Sequence, residues 1–193
     1  MENIELEDIK NHILKIASRC FTTHGFNGTT DKYIIAEAAI DHEVFYTHFT
    51  GKDEILREIC FSKADKFDLG IAEVNDLYFS AADKLRMAIS QHVKIITDDV
   101  YSAHVFLYEW KQLKNIYNEE FKKRRNKYTD AFKQIIIDGE NENIFNESDK
   151  QFAVLTILSS VNWICEWYTP QGKLKPQEIA DKITDFVLRG LLK

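Results

Sequence analysis

Proline occurs at only two places in this chain of 193 residues, Pro170 and Pro176, and glycine at seven. Proline is the residue that both removes a backbone donor and clashes with the preceding helical turn, so nothing ahead of residue 170 forbids helix outright. Long stretches without breakers predict an all-α chain. No strand-like alternation of useful length, internal repeat or low-complexity linker cuts across that reading. Hydrophobic residues make up 45% and charged residues 29%, which supports a folded core and excludes wholesale disorder.

The apolar residues are spaced for helices. Ile9, Ile13, Ile16, Ala17, Cys20 and Phe21 form one stripe, which stops at His24-Gly25, where glycine suits a left-handed C-cap. Thr29 and Thr30 follow, both suited to capping the next helix. Short helices are predicted over about Asp31 to Ala38 and Asp41 to Phe49. A fourth opens at Lys52-Asp53-Glu54, where the two carboxylates favour the positive end of the helix dipole. Beyond it come long amphipathic stretches. Leu85, Ile89, His92 and Ile96 mark one that starts at Ser80 or just after it, and Phe106, Trp110, Leu113 and Tyr117 mark the next. Phe121, Tyr128, Phe132, Ile135 and Ile136 mark a third, ending at Asp138-Gly139. Residues 147–168 are apolar nearly all round, as in a helix packed on two partners. Ile179, Ile183, Phe186, Val187 and Leu191 define the last.

Several function classes lose their signatures. Cys20, Cys60 and Cys165 are odd in number and contain no CxxC pair, so they read as small buried hydrophobes rather than disulfides or zinc ligands. None of the six histidines has a glutamate three residues before it, as a di-metal helical-bundle enzyme would require. HExxH, P-loop and GxSxG motifs are missing too, so no catalytic residue, metal or cofactor is expected. The acidic start MENIELEDIK is no secretion signal, and the stretch Phe152 to Tyr168 is too short and polar to span a bilayer. A cytoplasmic protein without a membrane partner is expected.

Three short helices followed by a long one outline a helix-turn-helix unit, in which one helix braces the DNA backbone and the next enters the major groove. The residues are more specific than the outline. Phe21-Thr-Thr-His-Gly25-Phe26-Asn-Gly-Thr29-Thr30, then Ile34, Ala38 and Ile40, then Phe45-Tyr46-Thr47-His48-Phe49 and Lys52-Asp-Glu-Ile-Leu56 follow one another at fixed spacing. This string closely resembles the N-terminal domain of the TetR/AcrR family. The resemblance implies DNA binding by residues 1–52, with the start of the next helix running to about residue 67, and a larger helical ligand-binding and dimerisation domain over 53–193. Phe21, Phe26, Ile34, Phe45 and Phe49 would form the small core. Thr29 and Thr30 would cap the second helix and touch phosphate. Tyr46, His48 and Lys52 would hold backbone phosphates, and Asp41, His42, Glu43, Val44 and Thr47 would face the bases.

Three features depart from that family. Ala39 replaces the usual turn glycine and is tolerable if its backbone stays in an ordinary region. Asp41 and Glu43 put carboxylates at the reading end of the third helix, where phosphates repel them. They either accept hydrogen bonds from cytosine amino groups or turn away into solvent. Residues 1–67 hold 8 Lys/Arg against 12 Asp/Glu, a local net of −4 within a chain of net −6. Non-specific DNA affinity is therefore expected to be poor.

In the C-terminal part, Asn162-Trp163-x-x-x-Trp167-Tyr168-x-Pro170-x-Gly172-x-Leu174-x-Pro176 and Glu109-Trp110-Lys111-x-Leu113 resemble a TetR subgroup that includes regulators responsive to acyl-CoA thioesters. That resemblance implies a repressor released from a palindromic operator by a small hydrophobic or acyl-CoA-like inducer. Phe106, Glu109, Trp110, Phe132, Asn162, Trp163 and Trp167 are its candidate ligand-pocket residues, although aromatics at helical spacing also serve as plain core. Helices 147–168 and 175–192 are the expected homodimer interface. The basic run Lys122-Lys123-Arg124-Arg125-Asn126-Lys127 reads as a solvated helix face or as an attractor for an anionic inducer. The alternative function is a TetR-fold ligand sensor or protein-interaction module with weak or lost DNA binding.

Overall fold

The computed structural model describes residues 2–193, with side chains from residue 7 onward. It is helical throughout: α1 (Glu2–Gly28), α2 (Asp31–Ala38), α3 (His42–His48), α4 (Lys52–Asn75), α5 (Ala81–Asp98), α6 (Val100–Tyr108), a 3₁₀ turn (Glu109–Gln112), α7 (Asn115–Asn141), α8 (Lys150–Asn162), α9 (Ile164–Trp167) and α10 (Pro176–Leu191). The chain forms two compact units. One comprises residues 1–63 and 101–121, the other residues 64–100 and 122–193.

In the first unit Ile13, Ala17, Phe21, Phe26, Ile34, Phe45, Phe49, Ile55 and Leu56 are buried around α1 to α4, including all five residues expected in the small core. Each of the Ile, Leu and Phe side chains among them contributes roughly 1.5–3 kcal/mol by leaving water. The segment 101–121 joins them through Phe106 and Trp110, whose rings lie 5.3 and 5.7 Å from that of Phe121. Gly25 sits within α1 at φ 71° and ψ 159°. Its φ is positive as expected, but ψ is extended, a region essentially restricted to glycine, so the chain turns sharply there before Phe26 re-enters the core.

Ala39 lies outside the ordinary backbone region. It has φ 51° and ψ 44°, which is left-handed. Its N–H donates to Ala36 O and that of Ile40 to Ile35 O, closing a Schellman motif with alanine where glycine fits best. The hydrogen bonds that end α2 thus override a steric cost of about 1–2 kcal/mol.

In the second unit α5 is central. Leu85, Ala88, Ile89, Val93 and Ile96 are buried, Ser80 caps the helix by accepting from Asp83 N–H at 3.2 Å, and α10 packs along its length. Pro176 opens α10, where its missing donor costs nothing. Two predicted helices are broken. The stripe Phe106 to Tyr117 is divided among α6, the 3₁₀ turn and α7, and residues 147–168 break at Trp163 between α8 and α9. Neither break carries a Gly or Pro, so the sequence pattern held no mark of them. α7 also runs past Gly139 to Asn141, because the glycine serves a close approach instead: a Cβ there would lie 2.1 Å from the Phe145 ring. The three cysteines are buried and unpaired with one another.

Candidate functional site

The outward face of α3 is held in place by a bracket built on Asp31, the first residue of α2. Asp31 Oδ1 accepts the backbone N–H of Lys52 at 2.8 Å, capping the start of α4. Its Oδ2 accepts from the Tyr46 hydroxyl of α3 at 3.3 Å. One carboxylate therefore fixes three helix positions relative to one another. Gly51 is shaped for this, since a Cβ on it would stand 3.1 Å from Asp31 Oδ2. Glu54 adds a second cap by accepting both the N–H and the hydroxyl of Thr50, each at 2.8 Å, and these bonds hold its carboxyl below the usual glutamate range. Nothing near Asp31 in the sequence marks its longer reach, whereas Glu54 is marked as an acid in a helix's first turn.

Lys52 is placed differently from the free phosphate ligand the resemblance implied. Its ammonium donates to Phe26 O at 2.7 Å and Thr29 O at 2.6 Å, and lies 4.3 Å from the centre of the Phe26 ring. Two of its three N–H groups therefore close the end of α1, leaving one for an outside anion. Thr29 is also corrected. It is fully buried, and its hydroxyl donates to Gly25 O at 2.9 Å and Cys20 O at 3.3 Å, so it locks the Gly25 turn and neither caps α2 nor faces a phosphate. Thr30 alone caps α2, accepting from Tyr33 N–H at 3.2 Å, and it is exposed.

Asp41, His42, Glu43, Tyr46 and Thr47 are exposed, and Val44 and His48 are half-buried. Asp41 stands at the N-cap of α3 without making a side-chain cap bond, so its carboxylate is not used by the helix it precedes. The His42 ring lies 4.6 Å from that of Tyr46, and Thr47 Oγ1 donates to Val44 O at 2.7 Å. His48 Nε2 is buried with no hydrogen-bond partner among the described residues. His12 Nε2 donates to Ala38 O at 3.0 Å, satisfying a carbonyl at the end of α2.

The candidate pocket residues fall into both units. In the first, Phe106 and Trp110 flank Phe121, and Glu109 lies in the 3₁₀ turn with Oε1 3.9 Å from where a Gly25 Cβ would stand. The second brings Phe132 and Asn162 together around a residue that sequence reading placed only on a stripe. His92 is buried; its Nε2 donates to Asn162 Oδ1 at 3.0 Å and its Nδ1 accepts from the Tyr128 hydroxyl at 2.9 Å, with the Phe132 and Phe67 rings against it. Both ring nitrogens are thus satisfied in the neutral form. Burial drives its pKa down to about 4 and pushes that of Tyr128 up. Trp163 and Trp167 instead point into solvent, 61% and 45% exposed. The basic run is not one uniform face either: Arg124 forks onto Asp68 (2.8 and 2.6 Å) and Asp65 (2.6 Å) of α4. Among the described residues no cluster of His, Cys, Asp and Glu could hold a metal ion, and no helix is long and apolar enough to cross a membrane.

A helix-turn-helix with this bracket, continuous with a long all-helical region, matches known families at both ends. Residues 13–59 match the family of bacterial regulatory proteins called tetR, and residues 79–191 match the tetracyclin repressor-like C-terminal domain. The chain belongs to the TetR family. It is a transcriptional regulator of that family and not an enzyme. Among curated relatives, the HTH-type transcriptional repressor KstR2 of Mycolicibacterium smegmatis is 22% identical over 188 residues, covering 94% of this chain and 90% of that protein. Two solved structures share the TetR fold closely. The ketosteroid transcriptional regulator KstR2 of Mycobacterium tuberculosis aligns with a TM-score of 0.90 at 20% identity, covering 95% of each chain. AibR, solved in complex with isovaleryl coenzyme A and operator DNA, aligns with a TM-score of 0.79 at 22% identity, covering 92% of this chain and 97% of its own.

Proposed function

We propose that this TetR-family protein is a repressor that binds a palindromic operator as a homodimer and leaves it when a small hydrophobic or acyl-CoA-like inducer binds. The observation that carries the reading is the exposed face of α3, fixed by the Asp31 bracket. It presents Asp41, His42, Glu43 and Thr47 together, with Val44 beside them. Asp41 and Glu43 accept from cytosine amino groups, and Val44 meets a thymine methyl. Thr30 and the third N–H of Lys52 hold phosphates, Tyr46 does so once its hydroxyl turns from Asp31, and His48 does so through Nδ1, its Nε2 being buried.

DNA binding is assigned to residues 1–52, and sensing and dimerisation to residues 53–193. Segment 101–121 carries the signal between them, because it packs within the same unit as the DNA-binding helices. Ser18 Oγ lies 3.2 Å from Ser102 Oγ, Thr22 donates to Tyr101 O at 3.3 Å, and the Arg57 guanidinium stacks 5.4 Å from the Tyr117 ring. An inducer that displaces this segment shifts the population of α3 orientations competent for DNA. The acyl-CoA class is suggested by AibR and by the Trp163–Pro176 string. The dimer face is the outer side of α8 and α10, where Phe152, Leu155, Trp163 and Phe186 are exposed. The protein would act in the cytoplasm, where its operator is.

The test is a gel shift with the DNA upstream of its own gene, followed by thermal-shift screening against acyl-CoAs and other hydrophobic metabolites. Retarded DNA released by one of these ligands is the expected result. A ligand-stabilised protein that retards no DNA supports the second reading, a sensor or interaction module without DNA binding, which the local net charge of −4 over residues 1–67 favours.

A further inference from the structure

The two arms of the Asp31 bracket are unequal. Oδ1 takes the Lys52 N–H at 2.8 Å in a part-buried bond, whereas Oδ2 takes the Tyr46 hydroxyl at 3.3 Å on the exposed side. Hydroxyl donors ordinarily approach to about 2.7–2.8 Å, so the second bond is the long and weak one. The first joins α2 to α4, and only the second reaches α3. Among the described residues no ion pair includes Asp31. Lys52, whose main-chain N–H it caps, turns its ammonium to Phe26 O and Thr29 O instead. Tyr46 therefore faces a carboxylate with no cation paired to it.

That hydroxyl is also one of the donors given above to a DNA phosphate. It has a single proton, so it serves one acceptor at a time. Carboxylate and phosphate oxygens are acceptors of the same anionic kind, and two anions within reach of one donor repel each other. Asp31 and DNA thus compete for Tyr46. The exchange returns little, because a bond to one anion replaces a bond to another. The carboxylate cannot withdraw far either, since the Lys52 N–H still holds its other oxygen. Position 31 follows directly on Thr30, itself assigned to a phosphate, so this charge stands among the phosphate-binding residues rather than off to one side.

We infer that Asp31 is an autoinhibitory contact in the DNA-binding face: it occupies the Tyr46 hydroxyl as a phosphate would and lowers affinity for every duplex alike. The inference rests on the DNA-binding reading above. Fluorescence anisotropy at low salt tests it, with one labelled duplex of scrambled sequence and one enriched from a random pool. Asp31→Asn keeps a carbonyl oxygen for the Lys52 N–H but puts an NH2 where Oδ2 accepts, so the cap stays while the hydroxyl is released. This variant should bind both duplexes about tenfold more tightly than the parent, although it is the less stable protein. Its salt dependence should steepen by about one phosphate contact for each protomer. Tyr46→Phe should change affinity by no more than about twofold in the parent, yet remove most of the gain in Asp31→Asn. Should Asp31→Asn fail to fold, Asp31→Ser, which also vacates the hydroxyl, takes its place in the same comparison. Weaker binding by the position-31 variants, or a gain that survives intact with Tyr46→Phe and so reflects charge alone, overturns the inference and leaves the DNA-binding reading standing. If neither the parent nor any variant binds either duplex, both fall.

Discussion

The two units of this protein use polar side chains in opposite ways. In the first, Asp31, Thr29, Thr30, Glu54 and Lys52 bind backbone groups at helix ends, and short helices are held by caps as much as by core. In the second, long helices bury apolar faces, and the polar chain Tyr128–His92–Asn162 runs among them through the buried His92. Short helices have few interior bonds and many orphan ends, so end chemistry decides their geometry. Long helices are settled by packing, and one satisfied polar network at the centre then fixes which arrangement is unique.

Breaking the interior network should have the largest effect. His92→Ala leaves the Tyr128 hydroxyl and the Asn162 amide without their partner and opens a cavity, at a cost of about 3–4 kcal/mol in urea unfolding. The same residue makes stability depend on pH. Its folded pKa of about 4 lies below the ordinary 6.5, so the neutral form is favoured by folding. This contribution is intact above pH 6.5 and declines as pH falls toward 4, by up to about 3 kcal/mol. Urea titrations between pH 7 and 4.5 should show that decline in the parent, and the part due to residue 92 should be missing in His92→Ala.

The caps of the first unit give smaller effects. Lys52→Met keeps much of the side-chain bulk but loses the bonds to Phe26 O and Thr29 O, and should lower stability by about 2 kcal/mol. A variant as stable as the parent would return Lys52 to the role of a free phosphate ligand. Asp31→Asn should cost about 1 kcal/mol, because a neutral amide is a weaker acceptor for the Lys52 amide. Ala39→Gly should be the one gain, raising stability by about 1 kcal/mol by relieving the left-handed alanine. A loss there would mean that the left-handed geometry at residue 39 carries no strain.

The same contrast explains what could be read from sequence. The small core, the ends of α2 and the starts of α3 to α5 follow from residues a few positions apart, and Phe21, Phe26, Ile34, Phe45 and Phe49 fell where expected. The Asp31 bracket did not, since it joins residues 15 and 21 positions apart. Alanine carries no mark of a positive φ, so nothing at Ala39 points to one, and Thr29 and Thr30 look alike until one of them is buried. In the second unit the partners of His92 are 36 and 70 residues away, so its stripe position disclosed burial but not its hydrogen bonds. The breaks at Glu109–Gln112 and Trp163 carry no Gly or Pro that would mark them.

The repressor reading requires that an acidic helix-turn-helix read DNA through α3. Selection from a pool of random duplexes at about 150 mM salt measures this without knowing the operator. Enrichment of one palindrome is expected, bound about 10³-fold or more tightly than scrambled DNA, with Glu43→Ala shifting the preferred bases while leaving the fold intact. A folded, dimeric protein that enriches no sequence over repeated rounds would contradict it.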